Sequence, residues 1–81
     1  MLVRVKLFAV LRDVVGAGEA SIELSPNATA GDAVNALCAQ HPGLAAFAER
    51  VAVAVNMAYV GRDVRLTEGD EVALIPPVSG G

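Results

Sequence analysis

Three groups along this chain could do chemistry: the carboxyl-terminal run Ile75-Pro76-Pro77-Val78-Ser79-Gly80-Gly81, the single thiol of Cys38 and the single imidazole of His41. The tail is the strongest of them. A sequence finishing on Ser79-Gly80-Gly81 offers a carboxylate on Gly81 behind two residues without a Cβ, which can enter a slot too narrow for side chains. Pro76 and Pro77 lack a backbone N–H and favour extended backbone, so a regular strand is expected to end near them. Fully extended, the six residues from Pro76 to Gly81 reach about 20 Å. That reach suits delivery of a carboxyl group into another protein's active site. The alternative is a frayed polar end with no task, which many domains carry.

The other two groups fit structural roles. Cys38 falls on the apolar stripe of an expected helix and reads as a small core residue rather than a reactive thiol. His41 lies near that helix's C-terminus, where it can hydrogen-bond free carbonyls, and no second histidine stands by to help it in catalysis or metal binding. The sequence has no cysteine–histidine cluster, no P-loop and no paired catalytic carboxylates in a readable motif. Any acid, base or metal that acts on the tail is therefore expected on a partner.

Composition narrows the partners. With 81 residues there is room for one domain and a limited core, and 54% apolar content argues against disorder. The net charge is −3, and the 6 Lys and Arg residues form no run, so nucleic acid and anionic membranes are excluded as partner classes. An acidic domain can instead be steered to basic surfaces on other proteins. One cysteine allows no internal disulfide, which fits a reducing cytoplasm. Met1 to Leu7 alternates apolar and basic residues, unlike the apolar segment of a secretory signal, and no apolar stretch reaches the roughly 20 residues needed to cross a bilayer. The expected location is cytoplasmic.

The elements that must position the tail follow from periodicity. Residues 2–10 read as a strand with Val3, Val5, Leu7 and Ala9 on the core face and Leu2, Arg4, Lys6 and Phe8 on the other. Leu11 to Val15 reads as a short helical turn stopped by Gly16, and Glu19 to Leu24 as a second strand, antiparallel to the first. Thr29 is a good N-cap for a helix over about 30–41, with Asp32 in its first turn and Val34, Leu37 and Cys38 at helical spacing. Leu44 to Arg50 reads as a second short helix and Val51 to Asn56 as a strand, which Met57 to Val60 continues or follows after a turn. A tight turn at Glu68-Gly69-Asp70 leads into the last strand, Glu71 to Ile75. There Val72 and Leu74 point one way, and Glu71, Ala73 and Ile75 the other. Strands gathered around one main helix imply an α+β fold with the helix on one sheet face. Phe8, Ile75 and Tyr59 make the open face partly apolar, as a protein contact would require; scattered surface apolars are the other reading. The division is a compact domain over 1–75 and an extended tail over 76–81.

Over essentially its whole length the sequence resembles the small subunit of molybdopterin synthase, the MoaD type of sulfur carrier. The residues that carry the resemblance are Val5-Lys6-Leu7-Phe8-Ala9 with Leu11-Arg12-Asp13, the Val55-Asn56 pair, Leu66-Thr67-Glu68-Gly69-Asp70-Glu71-Val72-Ala73, and Pro76-Pro77-Val78-Ser79-Gly80-Gly81. The resemblance implies a ubiquitin-like β-grasp fold, a mixed sheet with one main helix on one face. It also implies a chemistry. An E1-like enzyme, using ATP and magnesium, adenylates the carboxylate of Gly81; a sulfur donor displaces AMP and leaves a thiocarboxylate. The large synthase subunit, in a heterotetramer with the carrier, takes in the tail (Ser79, Gly80, Gly81) and passes the sulfur to a cyclic pyranopterin precursor. The carrier itself binds no cofactor, and Phe8, Tyr59 and Ile75 match the family's apolar contact surface. Three readings stand beside this one: a sulfur carrier for the thiazole of thiamine, a ubiquitin-like modifier joined to lysines of target proteins, and an interaction domain with an inert tail.

Overall fold

The computed structural model describes residues 1–77. Five strands form one mixed sheet: β1 (Leu2–Leu7), β2 (Glu19–Glu23), β3 (Ala52–Val55), β4 (Ala58–Val60) and β5 (Glu71–Ile75), in the order β2-β1-β5-β3-β4. β1 pairs antiparallel with β2 and parallel with β5, while β3 pairs antiparallel with both β5 and β4. The last strand of the sequence is thus the middle strand of the sheet. Two α-helices, α1 (Ala9–Val15) and α2 (Ala30–Gln40), and a 3-10 segment at Pro42–Ala46 complete the domain. This is the β-grasp arrangement that the resemblance implies, and it realises the α+β class expected from the order of strands and helix.

Alternation along the strands builds the core. Val3, Val5 and Leu7 of β1, Ile22 of β2, Val53 of β3, and Val72 and Leu74 of β5 are buried in one cluster with Ala30, Ala33, Val34 and Leu37 of α2. The helix begins where the sequence places it. The Thr29 hydroxyl accepts from the Asp32 N–H at 3.3 Å, and the Asp32 carboxylate accepts from the Thr29 N–H at 2.9 Å, a reciprocal capping box. The connection after β4 is stitched to the same helix end: Ala30 N–H donates to the Val64 carbonyl and Leu66 N–H to the Ala28 carbonyl, which carries Leu66 into the core.

Two expectations need correcting. The first strand ends at Leu7, not residue 10, and Ala9 is exposed rather than in the core. The chain breaks there because the Phe8 carbonyl accepts from the Leu11 and Arg12 N–H groups, turning the backbone into α1 and sending Leu11 inward in place of Ala9. The segment after Pro42 is a single 3-10 element, Pro42–Ala46, followed by turns, and not a helix over 44–50. Pro42 at its start fixes φ without needing a donor, and Leu44 alone of that element is buried.

Candidate functional site

The sheet face turned away from α2 carries a depression of about 390 Å³, lined by Lys6, Phe8, Ala54, Met57, Tyr59, Glu71, Ala73 and Ile75. Strand register explains its shape. Tyr59 pairs with Ala54, Ala54 with Ala73 and Ala73 with Lys6, so one rung crosses four strands with alanine at its two central positions. Those two small side chains leave a low floor, and the larger ones stand around it. Two residues further along the parallel strands come Phe8 and Ile75, the former just past the end of β1 in extended backbone and the latter the final residue of β5. Lys6 Nζ lies 3.6 Å from a Glu71 carboxylate oxygen at one rim, a half-exposed ion pair that fixes the side chains more than it stabilises the fold.

All three contact residues picked out from the sequence, Phe8, Tyr59 and Ile75, therefore meet in one depression. Phe8 is 44% exposed and Tyr59 is 73% exposed, large apolar surface for a domain of this size. Sequence reasoning missed Met57, which is 93% exposed on the same rim. Met57 stands two before Tyr59, but only the strand pairing shows that it sits in the turn between β3 and β4. The uncertain boundary between β3 and β4 concealed it.

β5 ends at Ile75, inside this depression, and Pro76 and Pro77 follow directly. Pro76 and Pro77 thus carry the chain out of the sheet at the depression. The tail residues singled out for chemistry, Ser79, Gly80 and Gly81, lie outside the described residues.

The other candidate groups take structural places. Cys38 is partly buried against the core, and that burial raises its thiol pKa while the nearby Arg62 charge pulls the other way, which leaves a protonated, weakly nucleophilic group. His41 closes α2 through its backbone N–H, which donates to the Leu37 carbonyl. Arg62 is spent on structure, donating to the Ala48 and Val51 carbonyls. Among the described residues no group of three or more His, Cys, Asp or Glu side chains could hold a metal ion, and no helix is long and apolar enough to cross a membrane.

Comparison with known proteins agrees with this geometry. The model of the ThiS family matches residues 5–81. The molybdopterin synthase sulfur carrier subunit of Chlamydomonas reinhardtii is 39% identical, the match covering 100% of each chain. The crystal structure of small archaeal modifier protein 1 from Haloferax volcanii superposes with a TM-score of 0.86 at 31% identity, over 95% of this chain and 98% of that one. A structure of the complex between subunits 1 and 2 of the molybdopterin-converting factor of Helicobacter pylori contains a chain similar to this one, with a TM-score of 0.68 and 26% identity over 100% of both.

Proposed function

Because the chain belongs to the ThiS family, we propose that it is a sulfur carrier of molybdenum cofactor biosynthesis, the small subunit of molybdopterin synthase. The observation that carries the reading is the path of β5: the central strand runs through the apolar depression and ends there at Ile75, with Pro76 and Pro77 following. A partner seated on Phe8, Tyr59 and Ile75 is then in place to receive residues 76–81. The relative in the Helicobacter complex supports a large subunit as that partner.

The chemistry follows from the carboxylate. A carboxylate resists nucleophilic attack, so an E1-like partner with ATP and magnesium first joins it to AMP as a mixed anhydride and releases pyrophosphate. A sulfur donor then attacks the acyl carbon of Gly81, AMP departs, and a thiocarboxylate remains. Within the large subunit the thiocarboxylate sulfur bonds to the cyclic pyranopterin precursor, and water then cleaves the acyl–sulfur bond, leaving the sulfur on the precursor and returning Gly81 to its carboxylate. The carrier supplies reach, a docking surface and a side-chain-free terminus; proton transfer belongs to the enzymes on either side.

The test is the intact mass of the chain after incubation with an activating enzyme, ATP and a sulfur donor. Exchange of one oxygen for sulfur, mapped to the peptide ending in Gly81, is the expected result; an unchanged mass with a competent enzyme overturns the reading. A second reading, joining Gly81 to lysines of target proteins, is favoured by the likeness to the archaeal modifier protein. It predicts lysine-linked conjugates in the cell that disappear when Gly81 is deleted.

A further inference from the structure

We infer that Met57 is a partner-contact residue held in a left-handed backbone conformation at the expense of fold stability. The inference rests on the docking reading above and deepens it. Val55 pairs with Ala58 across the β3–β4 hairpin, so Asn56 and Met57 are the two central turn residues, with φ of 49° and 72°. A two-residue hairpin with both central φ positive is the type I′ turn, and its preferred sequence is Asn-Gly. Asn56 fits. It tolerates the left-handed region, and its side chain ties the hairpin to the next turn: Nδ2 donates to Asp70 at 3.0 Å and Oδ1 accepts from the Glu71 N–H at 3.1 Å. Met57 does not fit. It occupies the position where glycine is unstrained, and at 93% exposure its side chain contributes almost nothing to the core.

The distribution of such residues points the same way. Away from the depression, where the chain needs positive φ it uses glycine, at Gly16 with 85° and Gly69 with 87°. The three described non-glycine residues with positive φ are Ala9, Asn56 and Met57, and each lines the depression or adjoins a residue that does. Strain concentrates at sites whose function over-determines the backbone. Met57 and Tyr59 line the same depression, and an unbranched, polarisable side chain there can adapt to an apolar partner surface. The occupant is the large synthase subunit.

Two substitutions separate strain from contact. Met57→Gly removes both; Met57→Ala removes the side chain and keeps the strain. Binding to the purified large subunit is measured by calorimetry and unfolding by thermal melting. Met57→Gly is expected to raise Tm by about 2–6 °C and to weaken Kd at least about fivefold. Met57→Ala is expected to weaken binding similarly without the rise in Tm. Unchanged affinity in both variants, with Phe8→Ala and Ile75→Lys still weakening binding, overturns the inference and leaves the docking reading standing. A Met57→Gly variant that melts at or below the native temperature overturns the strain argument. Unchanged affinity in all four variants sinks the docking reading itself.

Discussion

Phe8 and Ile75 each serve two masters, and their substitutions show which one dominates. Phe8 caps the end of β1 at the point where its carbonyl starts α1, yet nearly half of its surface is open. Ile75 pairs with Ala52 and closes β5, but its side chain faces the depression rather than α2. Phe8→Ala and Ile75→Lys are therefore expected to cost binding to the large subunit about 2 kcal/mol or more, at least tenfold in Kd, while lowering Tm much less than loss of a core residue such as Leu37. Calorimetric titration beside a thermal melt checks this, and a sharp fall in Tm with unaltered affinity would mean the two belong to the core. At the terminus the constraint is steric. If, as proposed, the tail enters a narrow channel of the large subunit, Gly80→Val puts a branched side chain in its way, so sulfur transfer from preformed thiocarboxylate should fall by orders of magnitude while thermal stability stays that of the native chain; a rate equal to native would remove the need for glycine there.

Elements show why some of the molecule was legible in the sequence and some was not. The N-cap at Thr29, the glycine stop at Gly16 and the alternation in β5 are local signals with local causes, and all three stand where the sequence places them. The end of β1 was misjudged because alternation continues through Ala9, whereas the backbone turns at Phe8 to satisfy two N–H groups of α1, a preference that no apolar pattern records. Met57 was missed because a methionine in a type I′ turn contradicts the local rule, and only the paired strands reveal the turn. The turn before β5 carries its own pH signature. Asp70 accepts from the Thr67 N–H at 2.8 Å, from the Asn56 side chain at 3.0 Å and from the Thr67 hydroxyl at 3.1 Å; the Thr67 N–H does most to hold its carboxyl below the ordinary 3.8, against a smaller opposing effect of burial. A carboxyl depressed in the folded state contributes stability that is present above its unfolded value and lost as pH falls through its folded one. The stability of the native chain should thus decline below about pH 4 more steeply than that of Asp70→Asn, whose amide keeps one acceptor oxygen, puts a donor in place of the other and starts out less stable. Parallel acid-unfolding curves for the two would contradict this role for Asp70.

At the scale of the whole molecule, carrying and choosing are separate tasks placed in separate parts. A tail of glycines can enter many active sites, and nothing in Ser79-Gly80-Gly81 distinguishes one acceptor enzyme from another. Selection must then reside in the surface that docks first: the alanine floor, the rim of Phe8, Met57, Tyr59 and Ile75, and the Lys6–Glu71 pair. This division yields a prediction about pathway. The thiocarboxylate form, supplied with a molybdopterin synthase large subunit and the cyclic pyranopterin precursor, is expected to give molybdopterin, and the same carrier offered to thiazole synthase is expected to give no thiazole. Both reactions would draw on the same thiocarboxylate, so formation of one product without the other cannot be traced to the terminus and points to the docking surface. Ile75→Lys should slow the first reaction while leaving formation of the thiocarboxylate intact, as read by mass. Thiazole formation without molybdopterin would move the carrier to thiamine synthesis, and the face around Ile75 would then be read as fitted to that enzyme instead.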